Sequence, residues 1–191
     1  RLSKELKDLM TDKTSNVKAR LLSDSMTRME CTFPGPRDTP YENGTFVVDV
    51  EIPSRYPFEP PKIRFNTRVW HPNISSKTGV ICVDILKDQW SPTLTIKTAI
   101  LSIQALMSNP VPKDPQDAVV ARQYLSSYED WRETASMWTE KHAMVPTQWH
   151  RVNSTTSQFV EMGFPLSRVL SALEDNYWNR EKAIEALLAE T

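Results

Sequence analysis

The 191-residue chain has little of what defines several common protein classes. It contains two cysteines, Cys31 and Cys82, and its formal net charge is −1. Cysteines 51 positions apart give neither the dense spacing of a secreted disulfide scaffold nor the paired spacing of a zinc site. We therefore expect no metal and a reducing compartment. The near-neutral charge argues against a nucleic-acid partner, because phosphate binding normally requires a basic surface.

Long apolar runs are also missing. Residues 1–10 carry charges between their leucines, and no continuous apolar stretch has the length of a signal peptide or a transmembrane helix. No membrane association is therefore expected. The apolar share of 39% is enough to fill a core, and the length predicts one or two domains.

The spacing of the apolar residues predicts an α+β fold. Leucines recur at helical spacing within residues 2–9, whereas apolar residues alternate over 29–33 and 46–52. The strands are joined by turn-rich links that are too short for helical crossovers, so the sheet should be antiparallel. Cys31 shares a face with its apolar neighbours and is expected in the core.

Further helices are predicted downstream, followed by a second unit. The predicted helices of the first unit cover residues 96–107, 117–125 and 129–142. The segment Asn109-Pro110-Val111-Pro112 should end the helix at 96–107. A polar stretch without an apolar period predicts a linker at 144–154, between a core at 1–143 and a small unit at 155–191. That unit should contain helices at 157–162, 167–174 and 179–189, the last capped by Asn179.

Cys82 has the strongest indication of chemistry. It follows Asn73 by nine positions, across a polar segment with Gly79 that is typical of an exposed loop. A thiol is a strong nucleophile and acyl carrier. The amide N–H₂ of Asn73 could stabilise the oxyanion that forms when an amine attacks a thioester. A core position is the alternative for Cys82, since free cysteines are mostly buried.

Several motifs occur in the order and at the spacing of one known family. They are Gly35-Pro36, Thr39-Pro40-Tyr41-Glu42-Asn43-Gly44, Tyr56-Pro57-Phe58-Glu59-Pro60-Pro61, His71-Pro72-Asn73 with Cys82, and Trp90-Ser91-Pro92. Residues 1–142 thus resemble ubiquitin-conjugating enzymes. The resemblance implies a four-stranded antiparallel sheet with flanking helices, and a ubiquitin thioester on Cys82 that is passed to a lysine amine. No cofactor is implied, because ATP is consumed earlier, when ubiquitin is activated.

The resemblance also implies roles for the residues around Cys82. Asn73 would stabilise the oxyanion or hold the loop, and His71 would brace the loop that carries Asn73. Asp114 would lie where the acceptor lysine enters, and Asp84 is a second candidate for that role. A solvated loop carboxylate is the alternative for both. A base role for His71 would require it to reach the sulfur.

Partner proteins are expected on two surfaces. Arg1, Lys4 and Lys7 lie on the first helix, which in the family contacts the activating enzyme; an ordinary solvated face is the alternative. Phe58 and the pair Ser91-Pro92 resemble the loops that contact RING- or HECT-type ligases. The expected partners are therefore ubiquitin, its activating enzyme, a ligase and protein substrates. The resemblance implies a monomer in the cytoplasm, with the nucleus as a further location.

The C-terminal unit resembles a ubiquitin-associated (UBA) domain. Met162-Gly163-Phe164 and the pair Leu187-Leu188 carry this resemblance, and in that family these residues present an apolar surface to ubiquitin. A helix C-cap glycine flanked by core residues is the alternative explanation of the loop. Together with the segment 114–121, core and tail resemble the 25-kDa subclass. This implies the building of ubiquitin chains through the lysine that is linked to degradation.

Two other functions are open at this point. An adaptor would keep the fold and bind ubiquitin without chemistry, and the presence of Cys82 argues against it. A cysteine hydrolase would release ubiquitin, and would need a histidine within hydrogen-bond reach of Cys82.

Overall fold

The structure is a computed structural model that describes residues 1–12, 14–22, 25–144 and 150–189, with only the backbone described for 150–153. The strands are β1 (Lys18–Leu21), β2 (Arg28–Pro34), β3 (Thr45–Glu51) and β4 (Lys62–Phe65). The helices are α1 (Leu2–Thr11), α2 (Ile96–Ser108), α3 (Ala118–Ser126), α4 (Tyr128–Ala143), α5 (His150–Glu161), α6 (Leu166–Asp175) and α7 (Arg180–Ala189). A 3-10 turn spans Asp84–Leu86.

The four strands form one antiparallel sheet in chain order, β1-β2-β3-β4. Strand residues on one face are buried and their neighbours are not, as the alternation in β2 and β3 predicts. Cys31 pairs with Val48 in this register and is fully buried, which confirms its predicted core position. The predicted fold class, an antiparallel four-stranded sheet with flanking helices, is confirmed.

Helix α2 contacts α1 and the 3-10 turn that follows Cys82. One face of the helix is buried along its whole length, from Ile96 to Met107, whereas Leu101 is exposed. The helix begins with a capping box in which Thr95 and Thr98 satisfy each other's backbone N–H groups. The helix ends at Ser108 with Asn109 as its C-cap, so it stops at the predicted segment, because Pro110 lacks the N–H that would continue it.

Helices α5, α6 and α7 form the small C-terminal bundle. The side chains of Phe159, Val169 and Leu173 are fully buried within it. The side-chain oxygen of Asn179 accepts the N–H of Lys182 at 2.9 Å, so the predicted N-cap of α7 is present.

The first helix of the bundle starts earlier than the sequence predicts. Helix α5 begins at His150 rather than at residue 157, so residues 150–154 of the predicted linker are helical. Residues 145–149 of that linker lie outside the described part of the chain. The division into 1–143, 144–154 and 155–191 stays a prediction.

The turn between α6 and α7 packs against α4. The indole Nε1–H of Trp138 donates to the carbonyl of Tyr177, and the rings of Tyr177 and Trp70 lie 5.6 Å apart. The Lys141 ammonium stands 4.8 Å from the ring centre of Trp178, which is 3% exposed. These contacts hold the bundle beside the segment that leads into the active site. Within the described ranges, no helix has the length and apolar character needed to cross a bilayer.

Candidate active site

The loop that leads to Cys82 is fixed to β4 by a glycine. Gly79 has a φ of 73°, and a Cβ atom there would lie 2.0 Å from the carbonyl oxygen of Phe65. The Phe65 N–H donates to the Gly79 carbonyl at 2.9 Å. Because both the left-handed backbone and the close approach require glycine, this position determines how the loop leaves the sheet.

His71 holds the inner side of the loop. The ring is fully buried; Nδ1 accepts the N–H of Asn73 at 3.0 Å, and Nε2 lies 3.1 Å from the carbonyl of Leu106. Burial lowers the pKa of His71 to about 3, so the ring is neutral at pH 7 and Nε2 carries the proton. Both ring nitrogens are engaged away from the sulfur. This is the geometry of a brace rather than of a catalytic base.

Asn73 connects the loop to the segment that follows α2. Its Oδ1 accepts the N–H of Val111 at 2.8 Å, and its Nδ2 donates to the carbonyls of Val111 at 2.8 Å and Asp114 at 2.9 Å. Its own carbonyl accepts the N–H of Cys82 at 2.9 Å. Both amide hydrogens are therefore in use. The geometry supports loop positioning, and an oxyanion role would require one of these hydrogen bonds to break.

Cys82 differs from the other cysteine in its surroundings. Its sulfur is partly exposed, whereas Cys31 is fully buried and burial raises the pKa of the Cys31 thiol to about 12. The Cys82 thiol faces the Asp114 carboxylate at 3.7 Å, and the Lys87 ammonium donates to Sγ at 3.1 Å. The structure thus places Asp114 beside the sulfur and excludes a core position for Cys82.

Lys87 is absent from the predicted site. The 3-10 turn after Cys82 reverses the chain, with the Lys87 N–H donating to the Asp84 carbonyl at 2.8 Å, and this brings residue 87 back to the sulfur. A lysine five residues after a reactive cysteine is the sequence signal that could have identified it. Asp84 is exposed, and no hydrogen bond in the described chain connects its carboxylate to Cys82.

Asp117 is a second residue that sequence reasoning missed. Its carboxylate accepts the N–H of Ser76 at 3.0 Å and the hydroxyl of Ser76 at 2.7 Å, while it caps α3. It therefore connects the active-site loop to α3, much as Asn73 connects it to residues 111–114. In the described ranges no group of three His, Cys, Asp or Glu side chains could hold a metal ion.

The residues predicted to bind partners are mostly accessible. Phe58 is 75% exposed, and Lys4 and Lys7 are exposed on α1. Ser91 and Pro92 lie in the loop that precedes α2, where Ser91 is half-buried and Pro92 exposed. Arg1 differs from the two lysines, because it pairs with Glu5 at 2.6 Å. Its guanidinium also donates to the carbonyls of Pro92 and Leu94, so it joins α1 to this loop.

The predicted ubiquitin-binding residues of the tail separate into two groups. Met162 and Leu188 are 55% and 58% exposed, and Gly163 is exposed with the φ of 98° expected of a helix C-cap glycine. Phe164 is half-buried against the core. Leu187 is 1% exposed. The expectation that Leu187 contacts ubiquitin is wrong, because its position on α7 faces the interior of the bundle.

Comparison with known proteins identifies the family. The family described as "Ubiquitin-conjugating enzyme" matches residues 1–139. The chain belongs to the ubiquitin-conjugating enzyme family. Ubiquitin-conjugating enzyme E2 27 of Arabidopsis thaliana is 51% identical over 188 residues, covering 98% of this chain and 96% of the relative. Human ubiquitin-conjugating enzyme E2 K is 42% identical over 192 residues, covering 99% and 96%.

Solved structures agree with this assignment. The E2 domain of a Toxoplasma gondii ubiquitin conjugating enzyme superposes with a TM-score of 0.71 at 50% identity, covering 75% of this chain and 97% of that chain. A putative ubiquitin conjugating enzyme from Plasmodium yoelii gives 0.72 at 49% identity, covering 76% and 95%. As a ubiquitin-conjugating enzyme, the protein is a ubiquitin transferase. Its general partners are ubiquitin, an activating enzyme and ligases.

Proposed function

We propose that Cys82 accepts ubiquitin from the activating enzyme as a thioester and that the ubiquitin is then transferred to a lysine amine. The observation that carries this proposal is the sulfur itself. It is partly exposed on a braced loop and contacts an ammonium at 3.1 Å and a carboxylate at 3.7 Å. A reachable thiol between two charged groups is suited to acyl transfer.

Transfer to lysine requires help with a proton. A lysine amine with the ordinary pKa of about 10.4 is mostly protonated at neutral pH, and only the neutral amine attacks a thioester. The Asp114 carboxylate lies beside the sulfur, and its backbone carbonyl is held by Asn73. It is therefore positioned to orient the incoming amine and to accept its proton. Asp84, which faces solvent, is the second candidate for this step.

The geometry argues against the two alternative functions. A hydrolase needs a base that reaches the sulfur, and both ring nitrogens of His71 are engaged elsewhere. An adaptor has no use for a reachable cysteine between a lysine and an aspartate. Transfer is the function that uses all three groups.

A non-reducing gel separates these functions. The chain is incubated with ubiquitin, activating enzyme and ATP, and a thiol-sensitive adduct is expected that disappears in Cys82→Ala. Cys31→Ala is the matched control and should retain the adduct, because Cys31 is fully buried. The absence of an adduct on the folded wild-type chain would support an adaptor. Release of free ubiquitin from a preformed conjugate would support a hydrolase.

We also propose that the enzyme builds polyubiquitin chains through the lysine linked to degradation, with the tail as a UBA domain that retains ubiquitin. The exposed apolar side chains of Met162 and Leu188 support this role of the tail. Mass spectrometry of branch peptides from digested chains tests the linkage, and a mixed set of linkages would contradict it. Deletion of residues 155–191 tests the tail. Unchanged ubiquitin affinity and product distribution would remove its proposed role.

We propose that ligases of the RING or HECT type dock on Phe58, Ser91 and Pro92. Protein substrates are proposed as further partners, whose lysines accept the ubiquitin. The 75% exposure of Phe58 supports this surface. Phe58→Ala should reduce ligase-stimulated discharge without changing the formation of the thioester; an equal loss in both would contradict a ligase-specific role.

We further propose a monomer that works in the cytoplasm, with the nucleus as a further location. Light scattering and imaging of the tagged protein test these points.

A further inference from the structure

The sulfur of Cys82 contacts two groups of opposite charge. The Asp114 carboxylate stands 3.7 Å from Sγ, and the Lys87 ammonium stands 3.1 Å from Sγ. A carboxylate at that distance disfavours a neighbouring thiolate, because like charges repel. The same carboxylate, however, is proposed to orient the acceptor lysine and to accept its proton. Asp114 alone would therefore favour discharge of ubiquitin to the lysine but disfavour charging of Cys82.

We infer that Lys87 is a catalytic residue that stabilises the negative charge developing on the Cys82 sulfur during transfer and offsets the charge of Asp114. This inference rests on the proposed thioester function. The hydrogen bond with the Cys82 sulfur raises the pKa of Lys87, with a further contribution from the charge of Asp114, so the side chain is fully protonated at neutral pH. Lys87 is exposed and reaches the sulfur from the end of the 3-10 turn.

The thiolate is formed twice in the cycle. In charging, Sγ gives its proton to solvent and attacks the thioester carbonyl carbon. A carbon–sulfur bond to Cys82 forms as the bond to the activating enzyme's cysteine breaks, and that cysteine leaves as a thiolate. In discharge, a neutral lysine amine attacks the same carbon, a carbon–nitrogen bond forms, and Cys82 leaves as a thiolate. The proton of the amine passes to solvent or to Asp114. Lys87 stabilises the sulfur anion in both steps.

In the described part of the chain, four charged groups bear on the sulfur or on Lys87. Lys87 and Asp114 contact Sγ directly. Asp88 adds a negative charge that acts on Lys87, and Asp84 is exposed at the start of the 3-10 turn. His71 is buried and neutral at pH 7, so it adds no charge. Because the Lys87 ammonium contacts the sulfur directly, a change of its charge should be measurable in the reactivity of Cys82.

Alkylation by iodoacetamide measures the thiolate without ubiquitin. The rate at Cys82 is followed by peptide mass spectrometry in wild type, Lys87→Gln and Lys87→Arg, from pH 6 to 10 at low salt. We expect Lys87→Gln to react about fivefold more slowly at pH 7, the effect of one charge at contact distance in water. The difference should become smaller as the pH rises. Lys87→Arg keeps the charge and should react like wild type.

A double-mutant cycle tests the balance with Asp114. Asp114→Asn alone should accelerate alkylation at pH 7, and Lys87→Gln/Asp114→Asn should return close to wild type. Addition of 0.5 M salt should reduce each difference, since both groups are exposed. Equal rates for wild type and Lys87→Gln at pH 7 would overturn the inference. So would a loss that is the same at every pH, or one that Lys87→Arg shares, because each indicates a structural role.

Ubiquitin charging provides the separate test of the function on which this inference rests. Single-turnover thioester formation at pH 7 should fall in Lys87→Gln by the same factor as alkylation. If wild type forms no thioester, the proposed function fails, and the alkylation rates still decide whether Lys87 stabilises the thiolate.

Discussion

At the scale of single residues, the position of Cys82 depends on groups that have no equivalent replacement. Gly79 shows this for the backbone. A Cβ atom at this position would lie 2.0 Å from the Phe65 carbonyl, at a φ of 73°. Gly79→Ala should therefore lower the free energy of unfolding by about 2 kcal/mol and slow thioester formation. Urea unfolding measures the first effect. Gly163→Ala is the control, because Gly163 also has a positive φ but nothing lies within 4 Å of its Cβ position. Equal losses of stability in the two variants would show that the cost comes from the backbone conformation and not from the contact with Phe65.

His71 should make the protein less stable in mild acid. Burial lowers its pKa from 6.5 to about 3, so the unfolded chain binds the proton that the folded chain excludes. The contribution of His71 to the free energy of unfolding is complete above pH 6.5. It is lost as the pH falls from 6.5 towards 3, by up to about 1.4 kcal/mol per pH unit. Burial also lowers the pKa of His142, to about 4, with the same sign.

Urea unfolding at pH 7.5 and 5.0 measures this dependence. The free energy of unfolding should be lower at pH 5.0 than at pH 7.5. In His142→Gln, the part of this difference that comes from His71 should remain. Equal or greater stability at pH 5.0 would contradict the neutral, buried state of the ring.

Asn73 should matter more for discharge than for charging. Asn73→Ala leaves the Val111 N–H and the Val111 and Asp114 carbonyls without their partners, which frees the segment that carries Asp114. We expect discharge to free lysine to slow about 100-fold, with a smaller effect on thioester formation. Single-turnover discharge measures it. Asn66→Ala is the matched control, since its side chain is exposed and bonds only Asp49 among the contacts described. An equal loss in charging and discharge would contradict a role through Asp114.

The sequence predicted some of these residues and not others, for physical reasons. Cys82, His71 and Asn73 lie close together in the chain, so motif spacing was sufficient to find them. The contact between Cys82 and Lys87 depends on a 3-10 turn of three residues, which leaves no periodic signal. Leu187 and Leu188 are adjacent on α7 and look alike in sequence, yet one is 1% and the other 58% exposed. Only the packing of the bundle decides which of the two is buried.

At the scale of secondary-structure elements, strong periodicity predicted the structure and weak periodicity did not. Helix α2 and strands β2 and β3 carry regular apolar patterns and were found close to their bounds. Strands β1 and β4 have four residues each, too few for a pattern to be distinguished from a loop. The first turns of α5 are polar and contain no apolar period, so the sequence placed its start at 157 instead of His150.

The contact between α4 and the turn at 176–178 should stabilise the tail. Trp138→Phe keeps an aromatic ring but removes the indole N–H that bonds the Tyr177 carbonyl. We expect amide exchange in α6 and α7 to become about fivefold faster, the effect of one lost hydrogen bond of about 1 kcal/mol. Hydrogen exchange followed by mass spectrometry measures it.

A second tryptophan of α4 provides the matched control for that experiment. The buried Nε1 of Trp131 has no hydrogen-bond partner in the described part of the chain. Trp131→Phe should therefore leave exchange in the tail unchanged. If Trp138→Phe and Trp131→Phe had the same effect on α6 and α7, the bond to Tyr177 would not be what holds the tail.

At the scale of the whole molecule, the fold brings distant segments to one sulfur atom. The sheet supports the loop through Gly79, α2 supports it through the Leu106 carbonyl, and the segment that follows α2 supplies Asp114. The tail packs beside this arrangement and leaves Met162 and Leu188 exposed. We therefore predict a single reactive cysteine whose neighbours set its reactivity, and the proposed ubiquitin-binding surface of the tail lies elsewhere on the chain.

The most direct measurement is the mass of the intact protein after reaction with ubiquitin, activating enzyme and ATP, followed by peptide mapping at low pH. We expect one added ubiquitin per chain, attached at Cys82 and released by a thiol reductant. A folded chain that acquires no ubiquitin, or that carries it at Cys31 or only on lysines, would contradict a thioester on Cys82.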